Sequence, residues 1–486
     1  MPISALCALT IFTANASLLL GGGTRAGHLS DALLQFLSLP LLLTGLWRWL
    51  EQPPRLRPRF VAPLCLGLVA LPLLQLAPLP PAIWTALPGR DVVVESLRLI
   101  GVQPGFAPMS VAPFSTQLAL LSLVPPLAVF FGALSLSCVE RRIAFLSLLP
   151  LGALSVLLGL VQVAQGPASA ARFYPITNTI EAVGFFANRN HFGALLYCLI
   201  LVAATWVSDA ASAGVRQRGS RGKLSAGRLA AIVCGVTLIA MLLSGEALCR
   251  SRAGALLAVA ALGGAYLVNR ADARRATAGL SAQKLVVGAV LLSGALSLEV
   301  FLNRLLTRLV ADPMEDYRWT IANHSLAAAK AFFPVGSGFG TFVEAYALFE
   351  SAQDSLENAY VNRAHDDFLE AVVEGGVFSV ALILAFIAWW FVATRRAWRP
   401  LQRDEPHANA SFRRAATLVV LLLLAHSLVD YPLRTSAMTA VFALACALML
   451  EAPAAATAAA GNAEGDASAS PAGRRRPTRT RGGATS

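Results

Sequence analysis

A histidine followed by carboxylates marks the start of one apolar segment in the C-terminal third of the chain. His365 comes directly before Asp366 and Asp367, and either aspartate can accept hydrogen bonds from the free N–H groups that begin a helix. The positive end of a helix dipole disfavours an imidazolium ion. A neutral imidazole can act as a general base or bind a hydroxyl group. We therefore expect His365 to be catalytic, with a surface or structural histidine as the alternative.

The carboxylates after His365 recur at helical spacing. Asp367, Glu370 and Glu374 share one face of the helix that the sequence predicts here, and Glu370 stands where a capping box with Asp367 would place it. Carboxylates are costly in lipid, so this face must contact protein or water.

Arginines stand at the start of two further apolar segments. Arg189 lies between Asn188 and Asn190, and Arg252 follows Ser251. Free N–H groups at a helix start favour anions, and arginine can bind phosphate through two parallel hydrogen bonds. An arginine at a helix end can also serve only as an interfacial anchor. We predict that Arg189 and Arg252 bind phosphate, with Asn188 and Asn190 in support, if the helix starts converge.

Two weaker signals remain open. The glycine-rich segment 334–340 either approaches a ligand closely or forms a simple turn, and it lacks the ending of a nucleotide-binding loop. His426 and Asp430 stand one helical turn apart and either orient one another or form a structural pair. No carboxylates, cysteines or histidines have convincing metal-ligand spacing, so the sequence predicts no metal and no cofactor.

The elements that position these residues are membrane helices. Hydrophobic residues make up 56% of the 486 and charged residues 14%, whereas a soluble domain carries about a quarter charged residues. A helix that crosses a bilayer needs about 20 apolar residues. Such runs fall near residues 3–20, 29–50, 60–80, 117–137, 143–164, 190–208, 229–244, 253–269, 285–302, 367–393, 415–429 and 433–450. The sequence predicts an all-α polytopic membrane protein with about twelve transmembrane helices, the fourth kinked or broken at Pro125-Pro126.

The distribution of positive charge predicts the orientation of these helices. Of the 39 lysines and arginines, 25 fall in alternate loops and the C-terminal tail, as expected for cytoplasmic segments. Both termini are then cytoplasmic, and the first apolar run is a retained helix. The net charge of +12 follows from this topology, so we expect the lipid bilayer, and no nucleic acid, as a partner.

Three regions lie outside the predicted helices. Residues 82–116 form an outward loop within the N-terminal unit 1–150. Residues 303–366 form a large periplasmic loop between helices 9 and 10 of the membrane core 151–450, with helical stretches near 315–332 and 341–351. Residues 451–486 lack large apolar side chains and are typical of a disordered cytoplasmic tail.

Several segments together resemble the O-antigen ligase and O-antigen polymerase family of bacterial membrane glycosyltransferases. The His–acidic–glycine segment 364–376 is the most specific of them. The others are 184–193, 251–257, 318–321, 334–340 and 426–432. The resemblance extends over roughly residues 150–435. It implies an inverting, metal-independent transfer of a glycan from undecaprenyl pyrophosphate to an acceptor hydroxyl, at the periplasmic face of the inner membrane.

The resemblance also implies roles for individual residues. Arg189 and Arg252 would bind the donor pyrophosphate and stabilise the departing charge, and His365 would activate or position the acceptor hydroxyl. The remaining candidates have supporting roles: Asn188, Asn190, Arg318, Asp366, Asp367 and Glu374. Asp366 stands where family members often carry an amide, which leaves the subtype open.

The ligase function has three alternatives, two from this resemblance and one from the membrane topology. A ligase transfers a finished chain to lipid A–core, whereas a polymerase of O-antigen or exopolysaccharide transfers a growing chain to a lipid-linked repeat unit. Some relatives transfer to protein. A flippase or transporter is the alternative from another class, but its polar residues would lie near the bilayer midplane and its halves would repeat. Here the polar residues cluster at helix ends.

Overall fold

The computed structural model describes residues 3–25, 27–54, 57–217, 226–273, 313–355, 360–400 and 407–450. The predicted span 285–302 and the tail 451–486 lie outside these residues. In chain order the helices are α1 Ala5–Leu20, α2 Leu29–Glu51, α3 Val61–Leu76, α4 Pro81–Trp84, α5 Asp91–Leu99, α6 Pro113–Leu121, α7 Val124–Leu134, α8 Cys138–Leu146, α9 Leu148–Gln165, α10 Arg189–Gln217, α11 Ala226–Cys249, α12 Arg252–Ala273, α13 Pro313–Phe332, α14 Phe342–Ala347, α15 Asp367–Ala397, α16 His407–His426 and α17 Ser436–Met449. A 3₁₀ turn, Pro432–Arg434, precedes α17.

The predicted all-α architecture is confirmed. Within the described ranges, 8 helical stretches are long and apolar enough to cross a membrane, and they match eight of the predicted spans. Three shorter apolar helices, α1, α3 and α17, match three more. The number of crossings and the orientation of the termini stay predictions.

The fourth predicted span is broken, as its two prolines indicate. Helix α6 ends at Leu121 and α7 begins at Val124, so that Pro125 falls in the first turn of the second helix. Proline suits this position because the first N–H groups of a helix have no partner inside it. A second break at Ser147 separates α8 from α9 and was not predicted.

Helix α10 lies at the centre of the bundle and positions the candidate residues at its start. Its side chains from Ala194 to Ala204 are almost completely buried, and the helix packs against α11, α12 and α16. A helix that is apolar on all sides is stable only when protein or lipid surrounds it completely. The burial of α10 therefore fixes where its first residues, beginning with Arg189, lie.

The loop 82–116 packs on the glycine-rich segment 334–340. Strands β1 (Pro78–Leu79) and β2 (Ala107–Pro108) pair antiparallel at the base of this loop. Inside it the buried Arg90 donates from Nη2 to the carbonyl oxygen of Gly336 at 2.8 Å. The Val111 N–H donates to the Ser337 carbonyl at 2.9 Å. The loop is thus bound to the glycine-rich segment, which in turn contacts α15 at residues 373–377.

Helix α15 is interrupted at Gly376, where the glycine-rich segment contacts it. Gly376 has φ 56° and ψ −139°, a combination that is essentially restricted to glycine. The next residue, Val377, donates its N–H to the Pro334 carbonyl oxygen at 2.9 Å. A Cβ atom at Gly376 would lie 2.0 Å from that same oxygen.

We predict that Gly376→Ala lowers the thermal unfolding temperature of the purified protein. The alanine would add a steric clash to a backbone conformation that by itself costs about 1–3 kcal/mol for a non-glycine residue. Gly263→Ala on α12 is the matched control, because no atom lies within 4 Å of a Cβ placed there. Equal unfolding temperatures for the two variants in detergent would contradict the prediction.

Candidate active site

His365 is held in an unusual backbone conformation beside a buried carboxylate. Its φ of 53° is left-handed, and in the part of the chain that the structure describes only Arg250 shares this among non-glycine residues. Such conformations are uncommon and cluster at functional sites. Nδ1 of His365 lies 3.1 Å from Oδ1 of Asp430. Because an ionised aspartate only accepts hydrogen bonds, Nδ1 carries the proton. Nε2, which makes no hydrogen bond with any described residue, is left as an acceptor.

Asp430 also binds the start of α10. Its Oδ2 accepts a hydrogen bond from Nδ2 of Asn190. Burial raises the pKa of the Asp430 carboxyl, but the hydrogen bond from His365 and the electrostatic interaction with nearby histidines outweigh it and hold this pKa well below its ordinary value. Asp430 is therefore ionised, and its two oxygens join the segment before α15 to the start of α10.

Tyr431 extends this contact. Its hydroxyl accepts a hydrogen bond from Nδ2 of Asn188 at 3.2 Å, and its ring packs edge-on against His365 with centroids 5.0 Å apart. Asn188 caps α10 by accepting from the Asn190 N–H at 2.8 Å. We refer to His365, Asp430, Tyr431, Asn188 and Asn190 as the Asp430 network.

Arg189 lies between the two asparagines of this network. Its backbone N–H donates to Oδ1 of Asn178 at 2.9 Å, and its guanidinium forms an ion pair with Glu181. The side chain is 20% exposed. The residues 178–188 before α10 thus orient the arginine while part of it stays accessible.

Arg252 begins the neighbouring helix α12. Ser251 caps that helix by accepting from the Gly254 N–H at 3.1 Å. The buried Glu246 of α11 fits between α10 and α12, because a Cβ at Gly193 or Gly254 would lie 3.2 or 2.8 Å from its Oε2. Two glycines therefore let the starts of α10 and α12, with Arg189 and Arg252, lie side by side.

Partly buried arginines balance the acidic face of α15. Nη1 of Arg434 lies 2.7 Å from Glu374 Oε2 and 3.4 Å from Glu370 Oε1, and Nε lies 3.5 Å from Asp367 Oδ1. Burial lowers the pKa of Arg434, but the three carboxylates outweigh this and raise it above its ordinary value. Glu370 also pairs with Arg363 at 2.8 Å. The face is directed into protein, as its spacing predicts.

The predicted capping box at the start of α15 is wrong. Asp366 is the N-cap, and its carboxylate accepts from the N–H groups of Phe368 and Leu369, both at 2.9 Å. Glu370 is then one residue too far along for a box. It accepts instead from the Ala364 N–H at 2.9 Å and so fixes the chain just before His365.

The weaker candidates have structural partners. Within 334–340, the Gly340 N–H donates to Glu374 Oε1 at 3.0 Å, so this segment packs on α15 as a turn. Arg318 donates to the Val429 carbonyl at 3.2 Å, next to the Asp430 network. His426 lies with Nδ1 3.1 Å from the Tyr197 hydroxyl, so its side chain does not orient Asp430.

Part of the chain is similar to a known protein family. A family model described as O-antigen ligase matches residues 236–384. This part of the chain is similar to the O-antigen ligase family. This confirms the family predicted from the sequence and supports a glycan-transfer function of the ligase or polymerase type in a multi-pass membrane protein. A search of curated proteins finds no match.

The site extends beyond the residues that match the O-antigen ligase model. Arg252 and His365 lie inside 236–384, but Arg189, Asp430 and Arg434 lie outside it. Sequence reasoning missed Asp430 as the partner of His365 and Arg434 as the partner of the acidic face. The only available signal was a polar or charged residue close to the end of an apolar run.

We predict that Arg434→Met destabilises the protein. Glu370 and Glu374 are completely buried, and breaking a buried ion pair from one side costs about 3–5 kcal/mol. The unfolding temperature in detergent should fall, and Glu374→Gln in the same chain should recover part of the loss. Arg98→Ala removes an exposed ion pair with Glu95 and should change little. An Arg434→Met variant as stable as Arg98→Ala would contradict this.

Proposed function

We propose that the chain transfers a glycan from undecaprenyl pyrophosphate to an acceptor hydroxyl, at the periplasmic face of the bacterial inner membrane. The reaction is inverting and independent of metal. One observation carries the proposal: His365 and the start of α10, with Arg189, are joined through the two oxygens of Asp430. A base and a phosphate-binding helix start are thereby held in one site.

His365 is the general base in this proposal. Asp430 holds the tautomer with the proton on Nδ1, so Nε2 can take the proton of the acceptor hydroxyl. The hydroxyl oxygen bonds to the anomeric carbon, the bond from that carbon to the pyrophosphate oxygen breaks, and its electron pair leaves with the pyrophosphate. Asp430 also stabilises the imidazolium that forms, as the carboxylate does in a catalytic triad.

Arg189 and Arg252 stabilise the departing pyrophosphate. Both stand at helix starts, where the helix dipole favours negative charge. Pyrophosphate is a good leaving group, so fixed positive charge contributes more here than an added acid would. Asn188 and Asn190 position Arg189 from either side along the chain.

The remaining supporting residues hold the base in place. Asp366 caps α15, and Asp367 and Glu374 pair with Arg434 behind it. Arg318 binds the carbonyl that precedes Asp430. In this proposal none of them contacts the reacting atoms.

The location of the network at helix ends supports transfer rather than transport. It gathers the starts of α10 and α15 and the end of α16, which the distribution of lysine and arginine assigns to the periplasmic side. A flippase or transporter would place such groups near the bilayer midplane. A ligase and a polymerase share this donor chemistry and differ in the acceptor.

We predict that His365→Ala lowers the rate of glycan transfer by about 10²–10⁴-fold, the usual contribution of a general base. The assay uses purified protein, an undecaprenyl-pyrophosphate glycan and acceptor, with product resolved by mass spectrometry. His324→Ala is the matched control, because His324 also pairs with an aspartate, Asp354, at 3.0 Å but lies outside the network. Equal rates for the two variants would reject His365 as the base.

The acceptor is identified in the same assay. Lipid A–core, a lipid-linked repeat unit and a protein acceptor are supplied in parallel to the wild-type protein. Product with lipid A–core alone identifies a ligase, and elongation of the repeat unit identifies a polymerase. The absence of transfer to all three, with folded protein and intact donor, would contradict the proposed function.

A further inference from the structure

The connection between α1 and α2 reaches into the candidate active site. The carbonyl oxygen of Gly22 accepts from the Ala187 N–H at 3.0 Å, two residues before Arg189. A Cβ at Gly22 would lie 2.3 Å from the Phe185 carbonyl oxygen, so this contact requires glycine. On the other side, the Thr24 carbonyl oxygen accepts from Nη2 of Arg363 at 3.3 Å. Residues 21–25 therefore touch both segments that present the proposed catalytic groups.

Arg25 stands at the end of this connection and has no anionic partner among the residues that the structure describes. Its guanidinium lies over the ring of Tyr360, with Cζ 4.7 Å from the ring centroid. Its Nε is buried and unpaired, and the guanidinium makes no hydrogen bond or ion pair with any residue in the described ranges. The arginines around it differ: Arg189 pairs with Glu181, and Arg363 with Glu370.

The side chain of Arg25 is only partly buried, but its buried Nε has no acceptor, and an unpaired buried donor is unfavourable until a bound anion or water supplies one. The guanidinium is a planar fork of N–H donors that matches the oxygens of a phosphate group. The face of Tyr360 holds the fork by cation–π attraction and contributes no charge that would neutralise it. These features are those of a binding group and not of a surface anchor.

We propose that Arg25 is a further phosphate-binding residue of the site, and that it holds a phosphoryl group of a lipid-linked substrate. The proposal rests on the proposed function, because it assigns Arg25 to the substrates of that reaction. It also goes beyond the family match, since residues 21–25 lie far outside 236–384. The phosphoryl group belongs either to the donor diphosphate or to a phosphorylated acceptor, and the two sources can be separated.

The test is direct binding, which does not depend on turnover. Full-length wild type, Arg25→Ala and Arg25→Lys are compared in detergent by native mass spectrometry. The probes are undecaprenyl pyrophosphate, undecaprenol without phosphate, and phosphorylated lipid A–core. Arg98→Ala serves as the matched control, because it removes one arginine charge on α5, where Arg98 pairs with Glu95. Thermal unfolding of each variant reports on folding.

We expect Arg25→Ala to weaken binding of one phosphorylated probe about tenfold relative to Arg98→Ala, and to leave undecaprenol binding unchanged. Arg25→Lys keeps the charge but not the fork, so it should recover only part of the affinity. A loss for undecaprenyl pyrophosphate assigns the group to the donor, and a loss for lipid A–core assigns it to the acceptor. Unchanged binding of both, or an equal loss for undecaprenol, would overturn the proposal.

Tyr360 supplies a second, independent variant. Tyr360→Leu removes the aromatic face and should weaken the same probe, whereas Tyr360→Phe keeps the face and should not. The proposal would also be contradicted if Tyr360→Leu and Arg25→Lys both bound the phosphorylated probe with wild-type affinity. A failure of glycan transfer in the wild-type protein would reject the proposed function and would leave these binding results decisive for Arg25.

Discussion

One carboxylate with two different partners organises the candidate active site. Asp430 accepts from His365 through one oxygen and from Asn190 through the other, and both partners lie far from it in sequence. A carboxylate can serve two donors in this way because both of its oxygens accept, whereas an amide offers only one acceptor. The geometry of the base and the position of the α10 start are thus coupled through a single buried side chain.

The charged residues around the site are paired because an unpaired buried charge is costly in a membrane protein. The acidic face of α15 is stable because Arg434 and Arg363 enter from other segments, and Glu370 also fixes the backbone before His365. In the same way, Glu246 lies between α10 and α12 only because Gly193 and Gly254 leave room for it. The start of α15 is therefore held by charged groups with defined partners, whereas the starts of α10 and α12 pack around a buried carboxylate.

Much of the membrane fold can be predicted from the sequence, because hydrophobic length and proline are local signals. The broken span at Pro125-Pro126 and the acidic face of α15 both follow from spacing along the chain. The charge partners cannot be predicted in this way. Asp430 is 65 residues from His365, and no periodicity relates them.

Two features could not be predicted because the local sequence is ambiguous. The sequence offers Asp366 and Asp367 as equally good N-caps, so it also allows a capping box that begins at Asp367. Only the extended backbone of Asp366 shows that this residue is the cap. Arg25 gave no signal, because a Gly-Gly-Gly-Thr-Arg connection is typical of an ordinary turn. Its significance depends on Tyr360 and Arg363, which are more than 300 residues away in the sequence.

The rate of glycan transfer in a double-mutant cycle of Asp430→Asn and His365→Ala tests the central claim most directly. If Asp430 acts through His365, Asp430→Asn alone should lower the transfer rate strongly, because one amide cannot serve both donors. Adding it to His365→Ala should then cause little further loss. A wild-type rate for Asp430→Asn, or losses that multiply independently in the double variant, would contradict the account.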